Sequence, residues 1–114
     1  GYDGQRAYCQ SKLALIMASF ELAGRLDPAE GTVNALHPGT LLDTKMARDD
    51  WGTTMGPVET GIEAEVNLAT SPELDGVTGE YFDALEKGRA KAQAYDPDAR
   101  RKLWALSERW VGTA

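Results

Sequence analysis

The chain has 114 residues, and its 18 acidic side chains outnumber its 12 basic ones, which gives a formal charge of −6. This balance argues against nucleic-acid partners and anionic membrane surfaces, because both attract basic proteins. A single cysteine, Cys9, excludes an intrachain disulfide and a cysteine-based zinc cluster and suits a reducing compartment. The longest apolar run, residues 13–18, is too short to span a bilayer, and no signal pattern begins the chain, so we expect a cytoplasmic protein.

The first predicted element is a helix over residues 7–26. This stretch is rich in Leu, Ala, Met, Glu and Lys, and it stops at Asp27-Pro28. Its apolar positions cover well over half of the circumference, so we expect it to pack on more than one side. No repeat, low-complexity tract or linker follows, and residues 1–114 are therefore predicted to form one unit.

The next stretch predicts a strand and then a loop. Residues 32–37 are mostly apolar and closed by Pro38-Gly39, as in a strand buried on both faces, although Asn34 in the middle is unfavourable. Residues 40–56 mix Thr, Asp, Gly, Met and Trp without a period. They indicate a long irregular loop, and loops of this length are often functional.

The rest of the chain predicts a helix, a strand and a helix. Residues 57–70 start with a proline and space four apolar residues along one face: Val58, Ile62, Val66 and Ala69. Residues 79–83 fit a second strand, and Asp96-Pro97-Asp98 opens a third helix. We expect two tryptophans to dock this last helix onto the sheet: Trp104 and Trp110.

The order helix, strand, loop, helix, strand, helix predicts an α/β fold with parallel strands and a right-handed crossover. Two strands are too few for such a sheet, because a buried parallel strand needs helices on both faces and a neighbour on each edge. The pattern therefore predicts that part of the sheet is missing.

Tyr8 and Lys12 are the first candidates for chemistry. They are four residues apart on one helix, so they share a face and can act on one substrate atom. A free phenol is a poor base at neutral pH, but a nearby cation favours the phenolate. The spacing is consistent with an acid–base pair, and also with a solvated lysine beside a half-buried tyrosine.

Two strings carry a family resemblance: RAYCQSKLA at residues 6–14 and VNALHPG at residues 33–39. Together they resemble the short-chain dehydrogenase/reductase family, in its Tyr-x-x-x-Lys helix and in the next strand with its Pro-Gly turn. GEYF at residues 79–82 looks like the final strand of that family. The His-Pro-Gly form and residues 95–108 look most like its retinol-dehydrogenase-like branch.

The resemblance implies an enzyme that transfers a hydride between NAD or NADP and a small alcohol or carbonyl substrate, without a metal. Tyr8 would be the general acid/base, and Lys12 would favour its phenolate form and hydrogen-bond the nicotinamide ribose. The backbone of the Pro-Gly turn and of the residues after it would lie along the nicotinamide. Those cofactor-binding positions are Pro38, Gly39, Thr40 and Leu41.

The loop after this turn departs from the family. The family commonly has a threonine five residues after the proline, whereas Thr44 is six residues after Pro38. Either a one-residue bulge restores the contact of Thr44 with the carboxamide, or a backbone group near Leu42 replaces it. The large apolar side chains of the loop would close over a substrate or pin the loop to the core: Leu42, Met46 and Trp51.

The larger departure lies before the first helix. The family's glycine-rich dinucleotide turn, Asn-Ala-Gly strand end and catalytic serine all precede the Tyr-x-x-x-Lys helix, and seven residues precede Tyr8 here. The resemblance therefore implies the C-terminal half of a Rossmann-like, doubly wound parallel sheet, inactive alone. Its partner would be the N-terminal dinucleotide-binding half, where NAD and NADP are told apart.

Two alternatives stay open. The apolar first helix also suits a catalytically inactive association module, and in the family this helix often packs against its counterpart, so we expect a homo-oligomer. A sugar-nucleotide epimerase or dehydratase shares Tyr-x-x-x-Lys but needs a longer region after Pro38-Gly39. The other reactive or charged residues have plainer expected roles: His37 as a packing or turn residue, Cys9 turned away from Tyr8, and Lys87, Arg89 and Lys91 as solvated surface.

Overall fold

The computed structural model describes residues 1–39, 42, 45, 48, 49, 52 and 56–112 of the chain. Within these residues the fold is mixed α/β, in the predicted order with one added strand. Its elements are α1 (Gly4–Arg25), β1 (Ala35–His37), α2 (Val58–Thr70), β2 (Tyr81–Asp83), β3 (Glu86–Gly88) and α3 (Pro97–Val111), with short 3-10 turns at Pro72–Leu74 and Ala92–Tyr95.

α1 begins three residues earlier than the composition predicts, because Asp3 caps it. The Asp3 carboxylate accepts hydrogen bonds from the backbone N–H groups of Gln5 (3.0 Å) and Arg6 (3.3 Å). These are two of the donors that a helix start otherwise leaves unsatisfied. At the other end Leu26 is extended, ahead of the predicted stop at Asp27-Pro28.

The sheet has the order β1-β2-β3. β1 and β2 are parallel, as predicted, with His37 opposite Asp83. β2 and β3 are antiparallel, so the sheet is mixed rather than wholly parallel. Lys87 lies in β3 and is exposed, as expected of a solvated residue. The turn between them places Ala84 at a φ of 53°. The turn residues 84 and 85 are Ala and Leu rather than the Asn-Gly or Asp-Gly pair that usually marks such a hairpin, which is why β3 was not predicted.

Asn34 strengthens the strand pairing that it was expected to weaken. Its side-chain amide donates to the Val77 carbonyl (2.9 Å) and accepts from the Glu80 N–H (3.1 Å). Just before β1, the Asn34 side chain therefore makes the two hydrogen bonds that a backbone position in a strand ladder would make.

The main core lies on one face of the sheet, between α1, α3 and the turn before α3. Met17, Phe20 and Ala94 are buried there, with Tyr81 packed against them. α3 docks on α1 rather than on the sheet. The Arg25 guanidinium lies over the Trp104 ring, with its Cζ 4.7 Å from the ring centroid. The expectation that both tryptophans dock onto the sheet is therefore wrong, and Trp110 is 82% exposed.

α2 packs through a face that the apolar spacing did not predict. Gly61 and Ala64 are its buried residues, whereas Ile62 and Val66 are each 54% exposed. A Cβ at Gly61 would overlap the Leu42 side chain. Only a face of small residues allows this approach, so Ile62 and Val66 turn outward.

The predicted loop 40–56 is described at six positions. Lys45, Arg48 and Asp49 have helical backbone there, so these positions are not irregular. Among the helices that the structure describes, none combines the length and the apolarity needed to cross a membrane.

Candidate active site

Tyr8 and Lys12 lie one turn apart near the start of α1. The Lys12 Nζ is 5.4 Å from the centroid of the Tyr8 ring, within the range of a cation–π contact. Tyr8 is 45% exposed, so its hydroxyl can be reached from outside the helix. The spacing therefore places the phenol and the ammonium together, on a face that is open to a substrate.

The Lys12 ammonium has no carboxylate partner among the ion pairs of the described residues, and the side chain is exposed. The nearby Ser11 hydroxyl donates to the Tyr8 carbonyl (2.7 Å) and so belongs to the helix backbone. Cys9 is exposed on another side of the helix. The pair thus retains its donors for a bound molecule.

α1 runs antiparallel to β2, which sets the end of the sheet that this pair approaches. Ala23 lies 3.6 Å from the position of a Cβ at Gly79, just before β2. Tyr81, further along the strand, packs against the core cluster that contains Met17 and Phe20, earlier in the helix. The amino-terminal turns of α1 therefore point toward the carboxyl ends of β1 and β2, the end where ligands bind in parallel α/β sheets.

The Pro38-Gly39 turn begins at that same end of β1. Gly39 has a φ of 152°, which favours glycine, and a Cβ there would lie 2.7 Å from Leu42 Cδ2. Leu42 also fills the space at Gly61 and pairs with Gly56 in an isolated bridge. Of the two predicted uses of Leu42, the contacts favour the one that pins the loop to the core.

No hydrogen bond or ion pair of the described residues joins the helical pair to the turn, so only the fold relates the two. The remaining predicted site residues lie outside the described residues: Thr40, Leu41, Thr44, Met46 and Trp51. In the part that is described, no three metal-ligand side chains gather into a cluster.

Asp83 is a residue that the sequence analysis did not single out. It ends β2 directly opposite His37, and its Oδ1 lies 3.8 Å from His37 Nδ1. The signal was present in the sequence, since two predicted parallel strands end at residues 37 and 83. Aligning their carboxyl ends would have paired these side chains.

Comparison with curated proteins gives relatives that match nearly the whole chain. Human retinol dehydrogenase 13 is 38% identical over 97% of this chain and 38% of its own length. Human retinol dehydrogenase 14 is 37% identical over 97% of the chain and 37% of its length. The WW domain-containing oxidoreductase of Danio rerio is 36% identical over 92% of the chain and 28% of its length.

No family model and no solved structure matches the chain. The chain spans less than two fifths of the length of these curated relatives. Their dehydrogenase and oxidoreductase names confirm the resemblance to the short-chain dehydrogenase/reductase family.

Proposed function

Starting from this resemblance to the short-chain dehydrogenase/reductases, we propose that the chain carries the acid–base pair and the nicotinamide-facing turn of an NAD(P)-dependent oxidoreductase. Its substrates are small alcohols or carbonyl compounds. The observation that carries the proposal is the exposed Tyr8 phenol with the Lys12 ammonium 5.4 Å from its ring centroid. The oxidoreductase names of the relatives agree with it and favour it over an epimerase.

Tyr8 moves the proton of the reaction. In the reducing direction its hydroxyl donates a proton to the substrate oxygen as negative charge develops there, and in the oxidising direction the phenolate accepts that proton. Lys12 assists because a cation beside the ring stabilises the phenolate. Its three N–H donors also suit the hydroxyls of a ribose.

The described residues fit a nicotinamide cofactor at two places. The Lys12 ammonium has no carboxylate partner among them, and Gly39, directly after the proline of the turn, is only half-buried. Lys12 would hold the ribose, and Pro38 and Gly39 would lie against the nicotinamide ring. When bound, the cofactor exchanges a hydride with the substrate carbon. Tyr8 and Lys12 orient the substrate oxygen so that proton transfer accompanies this exchange.

We propose that this fold is the C-terminal half of a doubly wound sheet, in which β1 and β2 are the parallel strands. Among the described residues β1 pairs only with β2, along one edge. A groove beside β1 and α2 is lined by six residues: Thr32, Asn34, Leu36, Glu65, Leu68 and Ala69. We propose that a strand of the dinucleotide-binding half pairs with the second edge of β1, which a parallel strand requires for burial.

The test uses the chain alone and the chain combined with a polypeptide that carries a glycine-rich dinucleotide-binding half. In whichever preparation turns over, Tyr8→Phe should lower kcat by roughly two to four orders of magnitude, because the transferable proton is lost. Cofactor affinity should stay near its original value. Tyr2→Phe is the matched control, since Tyr2 lies outside α1 and is 91% exposed. A Tyr8→Phe variant that keeps most of its activity contradicts the proposal.

A second candidate is an association module without catalysis, and exposed apolar side chains favour it. They lie on all three helices: Leu15, Ile62, Val66, Leu106 and Trp110. Sedimentation of the chain alone should then show a homo-oligomer, with no binding of reduced cofactor. A monodisperse monomer that binds the cofactor at micromolar concentration would exclude both the module and the need for a second half.

A further inference from the structure

A row of ionisable side chains crosses the carboxyl end of the sheet. His37, Asp83 and Glu86 occupy register-matched positions on β1, β2 and β3, so they project from the same face. It is the face that α1 covers, because Tyr81, two residues before Asp83, packs against the core beside α1. Asp83 therefore stands between a second carboxylate and the single histidine of the chain.

His37 meets the hairpin between β2 and β3 at two places, through one backbone hydrogen bond and through a longer side-chain approach. Its carbonyl accepts a hydrogen bond from the Ala84 N–H at 2.8 Å. Its Nδ1 is buried, makes no hydrogen bond and lies 3.8 Å from Asp83 Oδ1, so a small shift closes the contact. Ala84 keeps a φ of 53°, a conformation that costs a residue with a Cβ some free energy. Such strain persists where the surroundings hold it.

Both contacts are made by the last residue before the Pro38-Gly39 turn. On the opposite face, Pro38 Cβ lies 3.4 Å from the position of a Cβ at Gly61. α2 therefore fixes the turn from one side, and the hairpin fixes it from the other through His37.

We propose that His37 is a positioning residue: held by Asp83 and by the Ala84 N–H, it sets the position of the Pro38-Gly39 backbone. The inference rests on the proposed function, which assigns this backbone to the nicotinamide. His37 touches neither substrate nor cofactor, and its effect reaches the site through the turn.

The first test is spectroscopic and needs no activity. His37 is the chain's one histidine, so its ring signals are unambiguous by nuclear magnetic resonance. Asp83→Asn should shift both the His37 ring signals and the Gly39 amide signal. Asp75→Asn, the same change at an exposed carboxylate elsewhere, should shift neither. If Asp83→Asn leaves both sets of signals unmoved, the proposal is wrong.

The second test separates binding from turnover. His37→Leu should raise the KM for the cofactor roughly tenfold, the value of about one hydrogen bond, with little change in kcat. His37→Asn, which keeps an N–H donor near the place of Nδ1, should restore most of the affinity. Asp83→Asn added to His37→Leu should cost nothing further, because one contact is lost only once.

Equal effects of the Leu and Asn variants, or additive effects of His37→Leu and Asp83→Asn, would overturn the proposal. If His37→Leu does not fold, Asp83→Asn alone still tests the contact in both experiments. The two hypotheses can fail separately. If the resonance signals shift as expected but Tyr8→Phe leaves turnover intact, the positioning of the turn by His37 is supported and the proposed function is wrong.

Discussion

The two sides of the sheet are packed by different means. On one side, α1 and α3 enclose large side chains, of which Phe20 is the largest buried one. On the other, α2 approaches through Gly61 and Ala64, and Ile62 and Val66 face outward. An apolar stripe therefore marks a helix face that could be buried. In α2 the face that is buried is the one with small residues.

The two sides of α1 also differ from each other. Met17 and Phe20 are buried on one side, while Tyr8 and Lys12 lie on a side open to solvent. The residues that stabilise the helix and those proposed to do chemistry are therefore different residues. Substitutions of Tyr8 or Lys12 should therefore leave the stability of the helix unchanged, and substitutions on the buried face should leave these two groups in place.

The strongest test of the contrast between the two sides is a pair of truncations. Phe20→Ala should lower the free energy of unfolding by about 3–5 kcal/mol, because it removes a buried ring that also contacts Tyr95. Ile62→Ala, a truncation on the exposed stripe of α2, should change it by less than about 0.5 kcal/mol. Denaturant titration measures both. A large loss for Ile62→Ala would mean that the outward stripe is covered in solution.

The second prediction sharpens the contrast around α1. Lys12→Met should lower kcat about a hundredfold, because the cation beside the phenol and the donors for the ribose are lost. Unfolding free energy should stay the same, since the side chain is exposed. Lys91→Met is the matched control, an exposed lysine outside the helix. A variant that keeps most of its turnover argues against a role for Lys12 beside Tyr8.

The third prediction compares two glycines within helices. Gly61→Ala should destabilise the protein by about 1–3 kcal/mol, because the new Cβ overlaps the Leu42 side chain. Gly24→Ala in α1 meets no atom within 4 Å and should stabilise it by about 0.4–1 kcal/mol. Opposite shifts of the unfolding temperature for the two variants would confirm that α2 depends on the close approach of Gly61 to Leu42. Shifts of the same sign would mean that Leu42 does not fill the space beside Gly61.

The sequence was most informative where the signal is local. Helix composition and the Asp96-Pro97 start predicted α1 and α3 well, and four-residue spacing was enough to bring Tyr8 and Lys12 together. These features depend on neighbours along the chain, so a single sequence contains them.

The failures concern contacts between distant segments. The burial of Gly61 depends on Leu42, and the docking of Trp104 depends on Arg25 at the end of another helix. The strand at Glu86–Gly88 is three residues long and lacks a hairpin signature. In each case the partner is chosen by the tertiary fold, which spacing does not report.

The smallest predicted effect concerns the edge of the core where the sheet meets solvent. Burial, and to a lesser extent the Asp83 carboxylate and then Tyr95, raise the pKa of Tyr81 above its ordinary value. The native state therefore holds this proton to a higher pH than the unfolded chain does. The contribution to stability is fully present below about pH 10 and is lost as the pH rises through the native-state pKa.

Denaturant midpoints measured from pH 8 to 11 should fall less steeply in Tyr81→Phe than in the unchanged chain. Tyr2→Phe, at an exposed position, should keep the original slope. If Tyr81→Phe keeps it as well, the ring is more solvated than its packing against Phe20 and Met17 implies.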